Sequence, residues 1–368
     1  MIDLSGLPRR FTPRNDVSEG GRKIVKRILV IASPLWAGRS ALLFSLCLIT
    51  VNLQAAPEPK LPPAGLEIYR AWFKNLRKGL PNPLDTNRRL SSAPYLSCDT
   101  FRSVCRHFFD ECGCFEPSRV QERDTIFVNG DLLELFFTYL HPQIQHPYVL
   151  VTQNTDDGAP GRFRDHLNDP KIIAWFGQNC DATGHAKFIP IPIGLANSYW
   201  RHGNTSIVQR LQDYSKRSQR EWFMIMNFRN WTNGFERTAA FDAFKDQPYC
   251  KTFIETNGVG FKTDYASYLT DLAEAKFVIS PHGHGLDCVR TWEALWMGAI
   301  PIVKTSTLDS MYENLPVVIV KNWTDATKDF LDQQYLEIQA NLLAGKYQLE
   351  KLYFNYWQNL IQSYGNLK

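Results

Sequence analysis

Between Asp124 and Val320 the chain repeats one pattern: a short, continuously apolar run followed by a stretch of helical length. The runs are Thr125–Val128, Tyr148–Val151, Lys171–Phe176, Phe188–Ile193, Trp222–Met226, Thr252–Glu255, Phe277–Ser280, Pro301–Val303 and Val317–Val320. A half-solvated strand would alternate polar and apolar residues. Runs apolar on both faces belong instead to parallel sheets covered on both sides by helices. The pattern predicts an α/β fold, with helices at Asp131–Tyr139, Glu236–Asp246, Tyr265–Ala275 and Asp287–Met297, and amphipathic helix from Asp325 onward. In Phe188-Ile-Pro-Ile-Pro-Ile193 each proline fixes its own φ and keeps its predecessor out of the helical region, so this run is extended.

The polar stretch 205–221 reads as a helix end and a linker. It divides the series into one domain over 121–215, completed by 331–368, and another over 216–330. A length of 368 residues with 44% hydrophobic content suits two cores. Ligands of open parallel sheets bind beyond the carboxyl ends of the strands. The loops after Met226 and Ser280 are therefore the places to look for a site.

Residues 57–120 read as a stem and a cap. Six prolines between 57 and 83 interrupt regular structure, and one helix fits Leu66–Arg77. Cys98, Cys105, Cys112 and Cys114 lie close together. Their spacing lacks the paired C-x-x-C knuckles of a zinc site, so a disulfide cluster of open connectivity is expected in an oxidising compartment. Residues 1–56 carry eight Arg and Lys against three Asp and Glu, leaving the rest of the chain at −1. Such a near-neutral body argues against a nucleic-acid partner, which needs a basic face. The basic segment Lys23–Arg27 precedes apolar stretches at 28–32 and 41–53. That order suits a secretory signal or a single-pass anchor through 28–53, with Arg39 the cost of spanning. Either reading places the protein in the secretory pathway or cell envelope.

The chemistry concentrates in Phe277–Glu293. A strand runs into Pro281-His-Gly-His-Gly285, and a helix then opens near Asp287. Gly283 and Gly285 would let the backbone approach a ligand, and the helix N-terminus offers N–H groups to a phosphate. Arg290 would pair with a diphosphate, with Thr291 beside it. Glu293, on the face of Arg290, would accept ribose hydroxyls. His282, His284, Asp287 and Cys288 also admit a zinc reading, but the i,i+4 histidine pair of helical zinc sites is missing. The loop after Met226 adds Asn227, Arg229 and Arg237, whose guanidiniums could neutralise a leaving diphosphate. Asp156, beyond Tyr148–Val151, is the candidate general base, with Asp157 and His185 as rivals.

The segment Ser280-Pro-His-Gly-His-Gly-Leu-Asp-Cys-Val-Arg-Thr-Trp-Glu-Ala-Leu-Trp-Met-Gly-Ala-Ile-Pro-Ile-Val303 resembles the donor-binding signature of exostosin-like glycosyltransferases. It is closest to the branch with the ribitol xylosyltransferase-like proteins. Leu308–Val317 and Trp323 continue the likeness, and a weaker one covers 148–200. The pattern departs at His284, where Asn is more usual, and at Val289, where His is common. The resemblance implies a GT-B architecture of two Rossmann-like domains facing a cleft. It implies inverting transfer from a nucleotide-diphosphate sugar to a glycan hydroxyl, with no obligatory metal or other cofactor. The donor would lie on the second domain and the acceptor near the first. The absence of an Asp-x-Asp motif agrees with that expectation. Two alternatives stand beside it: a non-catalytic nucleotide-sugar- or glycan-binding protein, and a metal-dependent hydrolase using His282, His284 and Asp287.

Overall fold

The computed structural model describes residues 60–62, 65–71, 89–181, 184–253 and 264–368. The signal or anchor expected over 28–53 lies outside these residues. So does the second half of the helix expected at Leu66–Arg77, while 65–71 are helical. Among the described residues no helix is long and apolar enough to cross a membrane.

The fold is α/β, with two all-parallel sheets of five strands each. The first contains β1 (His107–Phe109), β2 (Thr125–Asn129), β3 (Tyr148–Gln153), β4 (Ile172–Gly177) and β5 (Phe188–Pro190), paired in sequence order. The second contains β6 (Trp222–Met226), β7 (Cys250–Thr252), β8 (Ala275–Ile279), β9 (Ile300–Lys304) and β10 (Val318–Val320). Its spatial order is β7-β6-β8-β9-β10. The order reverses between β6 and β8, so connections leave these neighbours towards opposite faces and a crevice opens at their carboxyl ends. The first sheet has no such reversal among its described strands.

The main helices among the described residues are α1 (Cys98–Val104), α2 (Thr205–Ser215), α3 (Gly234–Phe244), α4 (Tyr265–Ala273), α5 (Val289–Trp296), α6 (Lys328–Leu343) and α7 (Phe354–Tyr364). Alternate residues of β6 enter different cores. Met224 and Met226 pack with Phe244, Leu331 and Ile338, while Ile225 joins Leu269, Leu272 and Trp292. This strand periodicity explains why β6 is apolar throughout: both of its faces are buried. The second core is continuous with that of the first sheet, so one apolar body spans both.

Several expectations change. Residues 205–215, expected as a helix end running into a linker, form a full helix, capped by Asn204 and packed on α4. Its sequence looks polar because only Val208 and Ser215 are buried. The expected cap region supplies α1 and β1, and β1 pairs directly with β2. Cys98, Cys105 and Cys114 are unbridged thiols, so no disulfide joins the four-cysteine cluster. Burial pushes the Cys98, Cys105 and Cys114 thiols up to about 12. Helix α6 packs on the second sheet, whereas α7 packs on β4 and α1. The chain therefore crosses back after Leu343, later than residue 331.

Candidate functional site

The crevice between β6 and β8 is formed by Asn227–Arg237 and Ser280–Glu293, which follow those strands. Asn227 is buried. Its carbonyl accepts from Arg290 Nε at 3.0 Å, while its Nδ2 meets no hydrogen-bond partner. Arg290 Nη1 also donates to Pro281 O at 3.3 Å and lies 3.5 Å from Ser280 Oγ. Arg237 donates to His282 O at 3.1 Å and to Arg229 O at 2.9 Å. Both guanidiniums approach the Phe228 ring, with Cζ to centroid distances of 5.9 Å for Arg237 and 5.4 Å for Arg290. Arg237 and Arg290 thus both approach one aromatic ring and are fastened by main-chain carbonyls.

Neither guanidinium forms an ion pair with a carboxylate among the described residues. Burial, and then the Arg290 charge, push the Arg237 pKa down to about 10. Two partly desolvated like charges repel each other, and an anion placed between them would relieve both penalties. Helix α5 opens at the same place. Its N-cap, Cys288, makes no side-chain capping bond, so no side chain there competes for the first N–H groups.

Other residues of the segment serve the fold. Asp287 is fully enclosed. Its Oδ2 accepts from Ile193 N at 2.7 Å, and its carboxylate accepts from Trp292 Nε1 at 2.9 and 3.1 Å. Its own N–H donates to Asn179 Oδ1 at 2.9 Å. Ile193 and Asn179 follow strands of the first sheet, so Asp287 clamps the two halves together instead of capping α5 for a ligand. Burial raises its pKa to about 6. Gly285 belongs to the same contact, because a Cβ there would stand 2.7 Å from Asn179 Nδ2. A Cβ at Gly283 would stand 2.9 Å from Arg237 Nη2. The two glycines make room for the Arg237 guanidinium and the Asn179 amide.

Thr291 Oγ1 lies 2.9 Å from Ser280 Oγ and ties α5 to the end of β8. His282 Nδ1 is 3.2 Å from Asn233 Nδ2. His284 is exposed on the loop. With both Asp287 oxygens engaged, these residues do not converge on a point. Among the described residues no group of three or more His, Cys, Asp or Glu side chains could hold a metal ion. Arg229 is exposed, with its guanidinium 5.7 Å from the Trp231 ring centroid.

Glu293 is buried, and its Oε2 accepts from Tyr268 OH at 3.0 Å. Burial raises its pKa to about 7. Tyr268 stacks on Tyr265 at 6.4 Å, and Tyr265 meets His202 of the preceding loop at 6.4 Å. Glu293 therefore ends a line of rings that begins beyond α4, with one of its oxygens already taken.

Asp156 is exposed in the loop at the carboxyl end of β3. The carbonyl of its neighbour Thr155 accepts from Asn179 Nδ2 at 3.0 Å, and Asn179 in turn binds Asp287 N. The Asp156 backbone is thus two hydrogen bonds from the second-sheet loop. Asp157 is exposed in the same loop, whereas His185 precedes β5 and so lies at the amino ends of the parallel strands, away from the loop of Asp156. Sequence reasoning missed Asn179, whose φ of +54° suits a short amide side chain, and Asn233, which caps α3 and reaches Gly283 O. Polar residues straight after buried strands were the available signal.

No protein-family model matches the chain, and no curated protein is significantly similar to it.

Proposed function

We propose that the protein is an inverting glycosyltransferase of GT-B type. On this reading it moves a sugar from a nucleotide diphosphate to a glycan or glycoconjugate hydroxyl. The observation that carries the proposal is the pair Arg237 and Arg290. Two guanidiniums stand at the topological switch point of a parallel sheet, beside a helix N-terminus, and among the described residues neither makes a direct ion pair with a carboxylate. This arrangement suits a diphosphate, and the likeness of Ser280–Val303 to exostosin-like transferases points the same way.

The chemistry follows from charge. Breaking the sugar–phosphate bond leaves negative charge on the diphosphate. Fixed guanidiniums stabilise that charge as it grows, without the reorganisation that water would need. The acceptor hydroxyl attacks the sugar carbon from the opposite face and loses its proton to a base, for which Asp156 is the candidate. A positioned carboxylate contributes about 10²- to 10⁴-fold.

The test is turnover. Purified protein is incubated with UDP- and GDP-sugars and a mixed glycan acceptor panel, and nucleotide-diphosphate release is followed. Acceptor-dependent release is expected, falling at least about 100-fold in Asp156→Asn with donor binding retained. Donor binding without release from any acceptor, together with an indifferent Asp156→Asn, would favour the binding-protein reading.

A further inference from the structure

A cavity of about 230 Å³ lies beyond the carboxyl ends of β8 and β9, next to the arginine pair. Glu236, His282, Lys304, Thr305, Ser306 and Tyr312 are in its wall. His282 connects the cavity to the arginines, because its carbonyl is the acceptor of Arg237 Nε. Glu236 connects them again, since it precedes Arg237 at the start of α3.

The contents of the wall define what fits. Glu236 is buried, with Oε1 held by Trp323 Nε1 at 2.8 Å and Oε2 by Lys304 Nζ at 3.2 Å. Lys304 makes one bond there and has two further N–H groups to offer. Thr305 Oγ1 and Ser306 N both donate to Asp309, at 2.6 and 2.9 Å, which places a second carboxylate behind the wall. The single ammonium is therefore already neutralised. Drug-sized ligands occupy pockets of about 300–1,000 Å³, so this cavity suits a single ring rather than a nucleotide or a disaccharide.

Building on the transferase reading, we infer that this cavity seats the transferred sugar, and that the Glu236–Lys304 pair selects a neutral ring with adjacent hydroxyls over a uronic acid. One hydroxyl donates to Glu236 while its neighbour accepts from Lys304. A uronate carboxylate would instead meet Glu236, with Asp309 behind it and the Lys304 ammonium of the wall already paired.

Isothermal titration with UDP, UDP-glucose, UDP-xylose and UDP-glucuronate, and with GDP and GDP-mannose, measures the increment that each sugar adds to its bare nucleotide. A neutral sugar should tighten binding by about tenfold or more, as expected for hydrogen bonds to charged groups, while glucuronate adds nothing. Lys304→Met and the isosteric Glu236→Gln should lose the neutral-sugar increment but bind the bare nucleotide as the wild type does. That retained binding also shows that the variants are folded. An increment unchanged in both variants, or a wild-type preference for glucuronate, overturns this inference alone. Failure of the wild type to bind any of the six compounds overturns the transferase reading and the inference with it.

Discussion

At the level of single residues, environment decides more than identity. Arg290 and Glu293 share a helix face, yet one guanidinium is fastened to carbonyls at the crevice and the carboxylate is withdrawn against Tyr268. The consequence can be measured. Below its ordinary value of 4.5 the Glu293 carboxyl is neutral in both folded and unfolded chains. As pH rises towards 7 the unfolded chain ionises first, so the folded state progressively loses stability. That loss is on the order of 3 kcal/mol, reached once pH passes the folded-state value. Denaturation profiles from pH 4 to 8 should show this decline, and Glu293→Gln should flatten part of it, with Asp287 and Asp271 also contributing. A second prediction concerns the clamp. Asp287→Ala leaves the Ile193 and Trp292 N–H groups without their acceptor, at about 1–3 kcal/mol each. A melting temperature within a degree of wild type would contradict that role. The clamp was not legible in the sequence, because Asp287 and Ile193 are 94 residues apart and an Asp before a helix reads as a cap. Arg237 and Arg290 were legible, because each lies shortly after a buried parallel strand.

At the level of elements, the strands that declare themselves are those apolar on both faces, such as β3 and β6. Others are shorter and mixed. β1 is only His107–Phe109, embedded among cysteines and charges, and β7 begins at Cys250, ahead of the apolar run that signalled it. Helix α2 was hidden by its polar surface, although Asn204 at its N-cap, accepting from Ser206 N at 3.1 Å, is a local signature. Asn204→Ala should cost about 1 kcal/mol in chemical denaturation, and no change would show that the cap is dispensable. The contact between β4 and the Gly285 loop is tighter. Because Asn179 Nδ2 would stand 2.7 Å from a new Cβ, Gly285→Ala must displace the Asn179 amide from its bonds to Thr155 O and Asp287 N, at about 1–3 kcal/mol. The same substitution should weaken donor binding if the crevice needs that contact, which titration of the variant with UDP or GDP would report.

For the whole molecule, the two sheets share one core and are stapled by Asp287 and Asn179 at their facing loops. The division into two α/β halves was readable from the alternation of strands and helices. The reversal of strand order between β6 and β8, which makes the crevice, was not, because order depends on how helices pack rather than on any local run. It is at this reversal that the Arg237–Arg290 pair sits, without a direct ion pair among the described residues, and the functional account rests on that pair. Thermal shift with UDP, GDP and CMP sugars, repeated on Arg290→Ala and Arg237→Ala, tests it most directly. A ligand held only by the folded state raises the melting temperature by mass action, equivalent to about 2.7 kcal/mol at a hundredfold excess over Kd. The account predicts a rise with at least one donor in the wild type and its loss in both variants. No rise with any donor, or an equal rise in the variants, would contradict it.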